Sequence, residues 1–255
     1  MRRIKKILKK TTLFINSGLI ILLHIPFVFA KTTKHLFISD PDEKTPITTS
    51  VNNTPSADFN VANVFDSLKL NVVGLSKDVF ELAVKGMEKL KASGMIMTDS
   101  IISIADLSQP SSHKRLYVID LSHYSLLFNT YVAHGHNSGT ITAQNFSNNP
   151  KSFQSSPGFY VTLNTYLGEN GYSLKLNGVE QGINNNAFKR AIVMHGADYV
   201  NEKLVARQGY IGRSWGCPAV PKDLNKKIIE TIKEGTCLFI YPGQTAYIKQ
   251  SPVLN

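Results

Sequence analysis

Cysteine and tryptophan are nearly absent from this chain, and acidic residues are fewer than basic ones. Its 255 residues include two cysteines, one tryptophan, 18 acidic residues and 28 basic residues. At most one intramolecular disulfide is therefore available, and in an exported protein that pairing is the default expectation. Hydrophobic residues account for 42% of the chain. This composition excludes a disordered or collagen-like protein and indicates one sizeable domain with appendages.

The chain also lacks a dense cluster of Lys and Arg interleaved with aromatic residues. Six of its basic residues lie in the first thirty positions, and without them 22 basic and 18 acidic residues leave a net charge of +4. This balance is mild, and it is consistent either with an anionic polymer as partner or with ordinary solubility. We therefore expect no nucleic-acid partner.

The first thirty residues have the layout of a secretory signal peptide. Basic residues lie between positions 2 and 10, an apolar run fills positions 13–29, and the small residue Ala30 closes the segment. An uncleaved membrane anchor is the alternative, but the run is barely long enough to span a bilayer and Pro26 interrupts it. We predict a signal peptide over residues 1–30, no stable membrane anchor after cleavage, and export to the periplasm or cell envelope.

Two further segments precede the main domain. Residues 31–60 are rich in Thr, Ser, Pro, Asn and Asp, which is typical of a flexible linker. Residues 61–98 predict a helical N-terminal segment, in which Ser76 caps a helix and Gly94 ends it. The apolar stripe of this helix, which we expect to pack against the main domain, consists of Val79, Leu82, Ala83, Met87 and Leu90.

Residues 99–248 predict a mainly β domain with few helices. Short β-branched and aromatic runs recur there, separated by polar breaks that contain Gly and Asn. The runs are SIISIAD, KRLYVIDLS, SLLFNTYVAHG, GFYVT, YSLKLNGVE, KRAIVMHGA and TCLFIYPG. The best helix within this part begins near Pro221 and stops at Gly235. Its apolar stripe consists of Leu224, Ile228, Ile229 and Ile232.

Two separated segments contain residues suited to nucleophilic catalysis. His195 follows an apolar strand pattern, and Cys217 lies in a Gly-rich loop before the predicted helix. A free thiol ionises with a pKa near 8.5, so a neighbouring imidazole that accepts its proton makes it a better nucleophile. A helix N-terminus would also favour the thiolate. We expect the N–H groups of Gly216 and Cys217 to face an oxyanion, and a carbonyl within residues 196–198 to orient the His195 ring.

The spacing of these segments resembles a family signature. His195-Gly196, a gap of seventeen residues and Ser214-Trp215-Gly216-Cys217 are similar to the His-Gly and Ser/Thr-x-Gly-Cys motifs of the murein L,D-transpeptidase family, the YkuD-type domain. The segments KRLYVIDLSHYSLLFNTYVAHG, FSNNPKSFQSSPGFYVT and SWGCPAVP add to the resemblance, which covers roughly residues 110–245. It implies a β-sandwich or barrel fold of the L,D-transpeptidase type.

The resemblance also implies a reaction and a set of roles. The family acts on peptidoglycan stem peptides through a cysteine thioester, and an amine or water then resolves the acyl-enzyme, which gives L,D-transpeptidase or L,D-carboxypeptidase activity without a cofactor or metal. Carried over to this chain, Cys217 is the nucleophile, His195 is the base, and Gly196 holds that base. Ser214 and Gly216 shape the loop or the oxyanion site.

The chain departs from the family pattern close to the nucleophile. Trp215 stands where many members have His, Pro218 replaces an aliphatic residue, and Ala219 stands where many have Arg. Arg213 could supply the missing charge from the other side of the loop. We expect the substrate groove to be lined by Arg213, Trp215, His134, His136 and Asn137, although Trp215 could equally pack in the core.

Three alternatives remain open at the level of sequence. Cys217 and Cys237 could form a structural disulfide. A zinc-dependent wall peptidase could use His134, His136 and His195, because His-x-His on a strand points both rings to one side. The protein could also be a wall-binding module without catalysis.

Overall fold

The computed structural model describes residues 61–255, so the predicted signal peptide and linker lie outside the described residues. Five helices occur in this part of the chain: α1 Val61–Ser67, α2 Lys77–Ala92, α3 Glu202–Gln208, α4 Lys222–Ile232 and α5 Thr245–Gln250. Eight strands occur with them: β1 Ile101–Asp106, β2 Leu116–Asp120, β3 Ser125–Thr130, β4 Gly158–Gly168, β5 Gly171–Gly178, β6 Val193–Ala197, β7 Ala219–Pro221 and β8 Cys237–Tyr241.

The eight strands form one mixed sheet. Their order across the sheet is β3-β2-β1-β8-β4-β5-β6-β7. The pairs β1–β8 and β6–β7 are parallel, and the other neighbours are antiparallel. The mainly β prediction is therefore confirmed, and β6 and β7, which flank the two candidate catalytic segments, lie at one end of the sheet.

The sheet nearly closes on itself like a barrel. Residues that follow β3, at one edge, form isolated bridges near the other edge: Ala133 pairs with Ala219, and Gly135 pairs with Ser214. The backbone N–H of Ala133 donates to the carbonyl of Ala219 at 2.8 Å. The Cys217 loop is thus held between β6 on one side and residues 133–135 on the other.

The two main helices follow from their sequence signals. Ser76 caps α2 because its hydroxyl accepts the Val79 N–H at 3.3 Å, and Gly94 follows the helix with a φ of +71°. Val79, Ala83, Met87 and Leu90 of the predicted stripe are buried. In α4, the buried stripe consists of Ile228, Ile229 and Ile232.

Alternate residues of the central strands belong to two different hydrophobic clusters. In β8, Phe239 belongs to a cluster that also contains the apolar faces of α1 and α2. Its neighbour Leu238 belongs to a second cluster, which contains the stripe of α4. Because strand side chains alternate between faces, these helices cover opposite faces of the sheet.

The sequence located most strands but overlooked several short elements. Each of the seven predicted β runs contains an observed strand, whereas the three-residue β7 and the short helices α3 and α5 were not foreseen. The β7 strand separates Cys217 from α4, so the expected placement of the thiol at a helix N-terminus is wrong. Within residues 61–255, no helix has the length and hydropathy that a bilayer crossing requires.

Candidate active site

Strand pairing holds the histidine and cysteine segments together. In the parallel β6–β7 pair, His195 lies opposite Ala219, two residues after Cys217. The sequence places these residues 22 positions apart, and the register of two adjacent strands places them at one site. Both candidate residues therefore belong to the same end of the sheet.

The His195 ring is fixed by a backbone carbonyl. Its Nδ1 lies 3.0 Å from the carbonyl oxygen of Gly196, as the sequence analysis expected. A carbonyl can only accept, so Nδ1 carries the proton and Nε2 carries the lone pair of the neutral ring. Burial lowers the pKa of His195, which outweighs the opposite effect of the Gly196 bond. The ring is therefore a neutral base near pH 7.

Gly196 is required by the helix behind it. A Cβ at this position would lie 2.9 Å from Cβ of Asn225 and 3.2 Å from Cα of Lys222, both in α4. The close approach of α4 to β6 therefore leaves room only for glycine. This packing fixes the carbonyl that orients His195, which is consistent with the role implied for Gly196.

Cys217 is a partly exposed free thiol, and Cys237 is a buried free thiol in β8. The two cysteines do not form the alternative disulfide. Burial raises the pKa of the Cys217 thiol, while a backbone hydrogen bond from Val193 and the charge of Arg190 lower it in part. Within residues 61–255, no hydrogen bond joins the thiol to His195. The Cys217 Sγ lies 3.8 Å from Ala191 O.

Ser214 closes the loop that carries the thiol. Its hydroxyl accepts the Gly216 N–H at 3.0 Å and donates to the Cys217 carbonyl at 2.6 Å. Gly216 has a φ of +121°, and a Cβ there would lie 2.7 Å from Gln154 O. Both residues therefore shape the loop. The Gly216 N–H donates to Ser214 here, and donation to an oxyanion stays a prediction.

Arg190 is a site residue that the sequence analysis missed. Its guanidinium donates to Ser147 O and Gln154 O, each at 2.7 Å, and its charge acts on Cys217. The charge of Cys217 also contributes to raising the pKa of Tyr199 to about 12, although burial is the main cause. No motif marks Arg190 in the sequence, because it lies in an irregular segment before β6.

The predicted groove residues Arg213, His136 and Asn137 are tied to one another and to nearby loops. Arg213 Nη1 donates to the carbonyls of His136 and Gly139, each at 3.2 Å. Asn137 Nδ2 donates to Ser152 O at 3.0 Å. His136 is exposed, and its Nδ1 lies 3.2 Å from Asn137 Oδ1. Arg213 thus donates to this turn, whereas Arg190 lies beside the thiol loop.

His134 is a buried structural residue in this arrangement. Arg115 Nη2 donates to its Nδ1 at 2.8 Å, and its Nε2 donates to Gly139 O at 3.0 Å. Burial, with the charge of Arg115, lowers the pKa of His134 to about 4. His134 is not a groove residue, and both nitrogens are engaged. Within the described residues, no group of three His, Cys, Asp or Glu side chains is placed to hold a metal, so the three-histidine zinc set is not assembled.

An aromatic pair lies at the thiol loop, and a groove lies beside His195. Trp215 is 77% exposed, and its ring lies 5.7 Å from that of Phe153, so it is a surface residue rather than a core residue. His195 lines a groove of about 500 Å³. The other residues of this groove are Glu169, Asn170, Gly171, Gly196, Ala197, Asp198, Tyr199 and Lys222.

Comparison with known proteins identifies the family. A family model for the L,D-transpeptidase catalytic domain matches residues 72–241. The match covers about two thirds of the chain, and the protein belongs to this family. The match begins inside the helical segment, earlier than the resemblance found from the motifs. No curated protein matches this chain.

Solved structures add more distant likenesses. An L,D-transpeptidase from Mycobacterium smegmatis is 14% identical, with 55% of this chain and 58% of that chain covered and a TM-score of 0.33. An L,D-transpeptidase from Stackebrandtia nassauensis is 16% identical, with 64% and 69% covered and a TM-score of 0.34. The helical cell shape determining protein Pgp2 from Campylobacter jejuni is 13% identical, with 64% and 57% covered and a TM-score of 0.39. The chain thus spans less than two thirds of the Mycobacterium smegmatis protein.

Proposed function

We propose that this protein is a peptidoglycan L,D-transpeptidase or L,D-carboxypeptidase, with Cys217 as its nucleophile and His195 as its base. The observation that carries the proposal is the β6–β7 register, which places His195 opposite Ala219, together with the bond that leaves Nε2 of His195 as the free base. A thiol and a neutral, oriented imidazole at one site are the minimum set for acyl transfer through a thioester.

The acylation step starts from a neutral thiol and a neutral imidazole. As Cys217 Sγ attacks the carbonyl carbon of the third stem residue, Nε2 of His195 takes the thiol proton and the carbonyl oxygen becomes an oxyanion. Collapse of this tetrahedral species breaks the bond to the D-Ala at position four. The imidazolium returns the proton to the leaving amine, and Cys217 remains as a thioester.

The second step uses the groove beside His195. An acceptor amine from a neighbouring stem loses a proton to Nε2 and attacks the thioester carbon, and Sγ leaves and is reprotonated. Glu169 and Asp198 line the groove with Lys222, which pairs with Asp198 at 2.8 Å. The groove therefore has a net negative charge, which favours an amine-bearing acceptor and hence cross-linking. Water in the same position would give L,D-carboxypeptidase activity.

The proposed activity requires export of the chain. Residues 1–30 have the layout of a signal peptide, and the substrate is found outside the cytoplasmic membrane. We propose cleavage after Ala30 and a mature protein in the periplasm or cell envelope. Intact-mass measurement of the protein from its native cell envelope tests this, because a mature chain that begins at Lys31 is expected and a chain that retains residues 1–30 would contradict it.

The activity is tested by incubating the protein with a tetrapeptide stem and measuring released D-Ala and intact protein mass. The wild-type protein is expected to release D-Ala and to gain the mass of the acyl group. Cys217→Ala is expected to fold, because a partly exposed loop thiol contributes little packing, and to do neither.

Cys237→Ala is the matched control, because it removes the other thiol. It should keep the acyl-enzyme and lose stability by about 1–2 kcal/mol, since it truncates a buried side chain. Release of D-Ala by Cys217→Ala would contradict the proposal. Binding of stems by the wild-type protein without acylation would favour the wall-binding alternative.

A further inference from the structure

Arg190 is a half-buried cation without an acidic partner. Its guanidinium donates to two carbonyl oxygens, of Ser147 and Gln154, and to two hydroxyls, of Ser152 and Ser156. All four acceptors are neutral. Within residues 61–255, no carboxylate forms a salt bridge with Arg190. A partly desolvated guanidinium without a counter-ion makes a nearby anion more favourable.

This uncompensated charge lies against the nucleophile loop. An added Cβ on Gly216, the residue before Cys217, would lie 3.4 Å from Arg190 Nη2 and 2.7 Å from Gln154 O. Arg190 Nη2 itself donates to Gln154 O at 2.7 Å. The guanidinium and the Gln154 carbonyl that it binds therefore pack against the backbone at Gly216, next to Cys217.

The other titratable groups that face the thiol are neutral near pH 7. Burial raises the pKa of Tyr160 above its ordinary range and that of Tyr199 to about 12, and it lowers the pKa of His195. Burial also lowers the pKa of Arg190, and the only groups that oppose this effect are the anionic forms of Tyr160 and Cys217. In the described part of the chain, Arg190 is thus the permanent charge that faces Cys217.

We propose that Arg190 is a positioning residue of the active site, whose guanidinium stabilises the Cys217 thiolate through space and holds the loop segment 147–156 against the nucleophile. When the proton of Sγ passes to His195 Nε2, the thiolate becomes the counter-ion that Arg190 lacks in the resting protein. Ala219, two residues after the thiol, has no charge to contribute. This proposal deepens the proposed function and rests on it for its catalytic consequence.

The test is the pH dependence of Cys217 alkylation by iodoacetamide in the full chain, with no peptidoglycan present. Cys237 is fully buried, so native alkylation reports Cys217, and Cys217→Ala supplies the background. Arg190→Gln is expected to raise the midpoint by about one pH unit, which is roughly tenfold slower alkylation at a fixed pH below it. Arg190→Lys keeps the charge and should show less than half of that shift.

Two further variants separate charge from structure. Lys189→Gln removes the same charge from an exposed neighbour and should leave the midpoint unchanged. Ser152→Ala removes one hydroxyl acceptor of the guanidinium, keeps its charge, and should also leave the midpoint unchanged. A folded Arg190→Gln with the wild-type midpoint would overturn the proposal.

If Arg190→Gln does not fold, Arg190→Lys tests the proposal in its place. A shift of the alkylation midpoint by a full pH unit in Arg190→Lys, which keeps the charge, would also overturn the proposal. Because alkylation needs no substrate, these outcomes are independent of whether Cys217→Ala loses D-Ala release. Failure of the Arg190 proposal is therefore distinguishable from failure of the proposed function.

Discussion

At the scale of single residues, the thiol and the imidazole rest in their neutral forms. Burial raises the pKa of Cys217 and lowers that of His195, the reverse of what a preformed thiolate–imidazolium pair requires. Under the proposed mechanism, proton transfer therefore accompanies the attack on the substrate, when Nε2 and Sγ share the reacting proton.

The resting neutral pair predicts a specific pH profile. The rate constant kcat/KM should fall on the acid side with a midpoint below 6.5, the ordinary value for histidine, because the neutral base persists to lower pH. Alkylation of Cys217 should rise with pH to a midpoint above the ordinary thiol value. His195→Gln, whose amide can still donate to Gly196 O, should lower turnover at least ~100-fold and leave the alkylation midpoint nearly unchanged.

The matched control for that variant is His113→Gln, which changes an exposed imidazole in the segment between β1 and β2. It should keep both the turnover profile and the alkylation midpoint of the wild type. A wild-type thiol that alkylates rapidly at pH 6 and slows sharply in His195→Gln would show that the ion pair forms before substrate binds.

The residues of the site differ in how far sequence could predict them. Cys217 and His195 could be proposed from the sequence because they belong to short motifs of scarce residue types. Arg190 was missed because its contact with the thiol loop depends on the path of residues 147–156, which no periodicity encodes. His134 was placed in the groove with its loop, but its side chain is buried. The His-x-His argument for zinc applies only to a regular strand, and the chain turns at His136–Ser138.

At the scale of elements, one buried carboxylate ties the C-terminal helix to the sheet. Glu180 Oε2 accepts the Phe159 N–H at 2.6 Å and the Tyr247 hydroxyl at 2.9 Å, and Oε1 accepts the Ser251 hydroxyl. Tyr247 lies in α5 and Phe159 in β4, so the carboxylate links an edge of the fold to its centre. Sequence patterns could not reveal this link, because its partners lie 21 to 71 positions from Glu180.

Glu180→Ala should lower the free energy of unfolding by on the order of 3 kcal/mol, because it leaves buried donors without an acceptor. Glu180→Gln, which keeps the shape, should be closer to the wild type. Denaturant unfolding followed by circular dichroism measures both. A Glu180→Ala protein as stable as the wild type would show that water replaces the carboxylate.

The stability of the wild type and that of Glu180→Gln should depend on pH in different ways. Burial raises the pKa of Glu180 in the folded protein above the unfolded value of about 4.3. At a pH between these two values, the folded state keeps the proton and the unfolded state loses it. The contribution of Glu180 to stability therefore decreases as pH rises through this window. Glu180→Gln should lack that part of the slope, and an identical slope in both proteins would contradict the assignment.

At the scale of the whole molecule, the helical segment and the β domain share one core. The apolar faces of α1 and α2 pack in the same cluster as Ile102, Phe159 and Phe239 of the sheet. The predicted boundary between residues 61–98 and 99–248 was based on a change of sequence pattern. Such a change marks where helices give way to strands, and it need not mark where one cooperative unit ends.

Gly86→Ala tests whether these parts unfold together. A Cβ at Gly86 in α2 would lie 2.0 Å from Cζ of Phe159, whose ring stacks on Phe239 at 4.2 Å and has little room to move. Overpacking should cost about 1–3 kcal/mol, more than the gain of about 1 kcal/mol in helix propensity. The single thermal transition should shift to lower temperature without splitting.

Glu88→Ala, at an exposed position of the same helix, is the control and should change Tm little. Two separate transitions in Gly86→Ala, one of them at the wild-type temperature, would show that the helices and the sheet are independent units.

Trp215 gives this protein an intrinsic optical reporter. It is the one tryptophan in the chain, it is largely exposed two residues before the thiol, and it contacts only the ring of Phe153 among the described aromatic side chains. Indole emission shifts to shorter wavelength when water is displaced from the ring. A stem peptide or a covalent adduct on Cys217 that covers Trp215 would therefore produce a blue shift, and occupancy of the site could be followed in real time without a label.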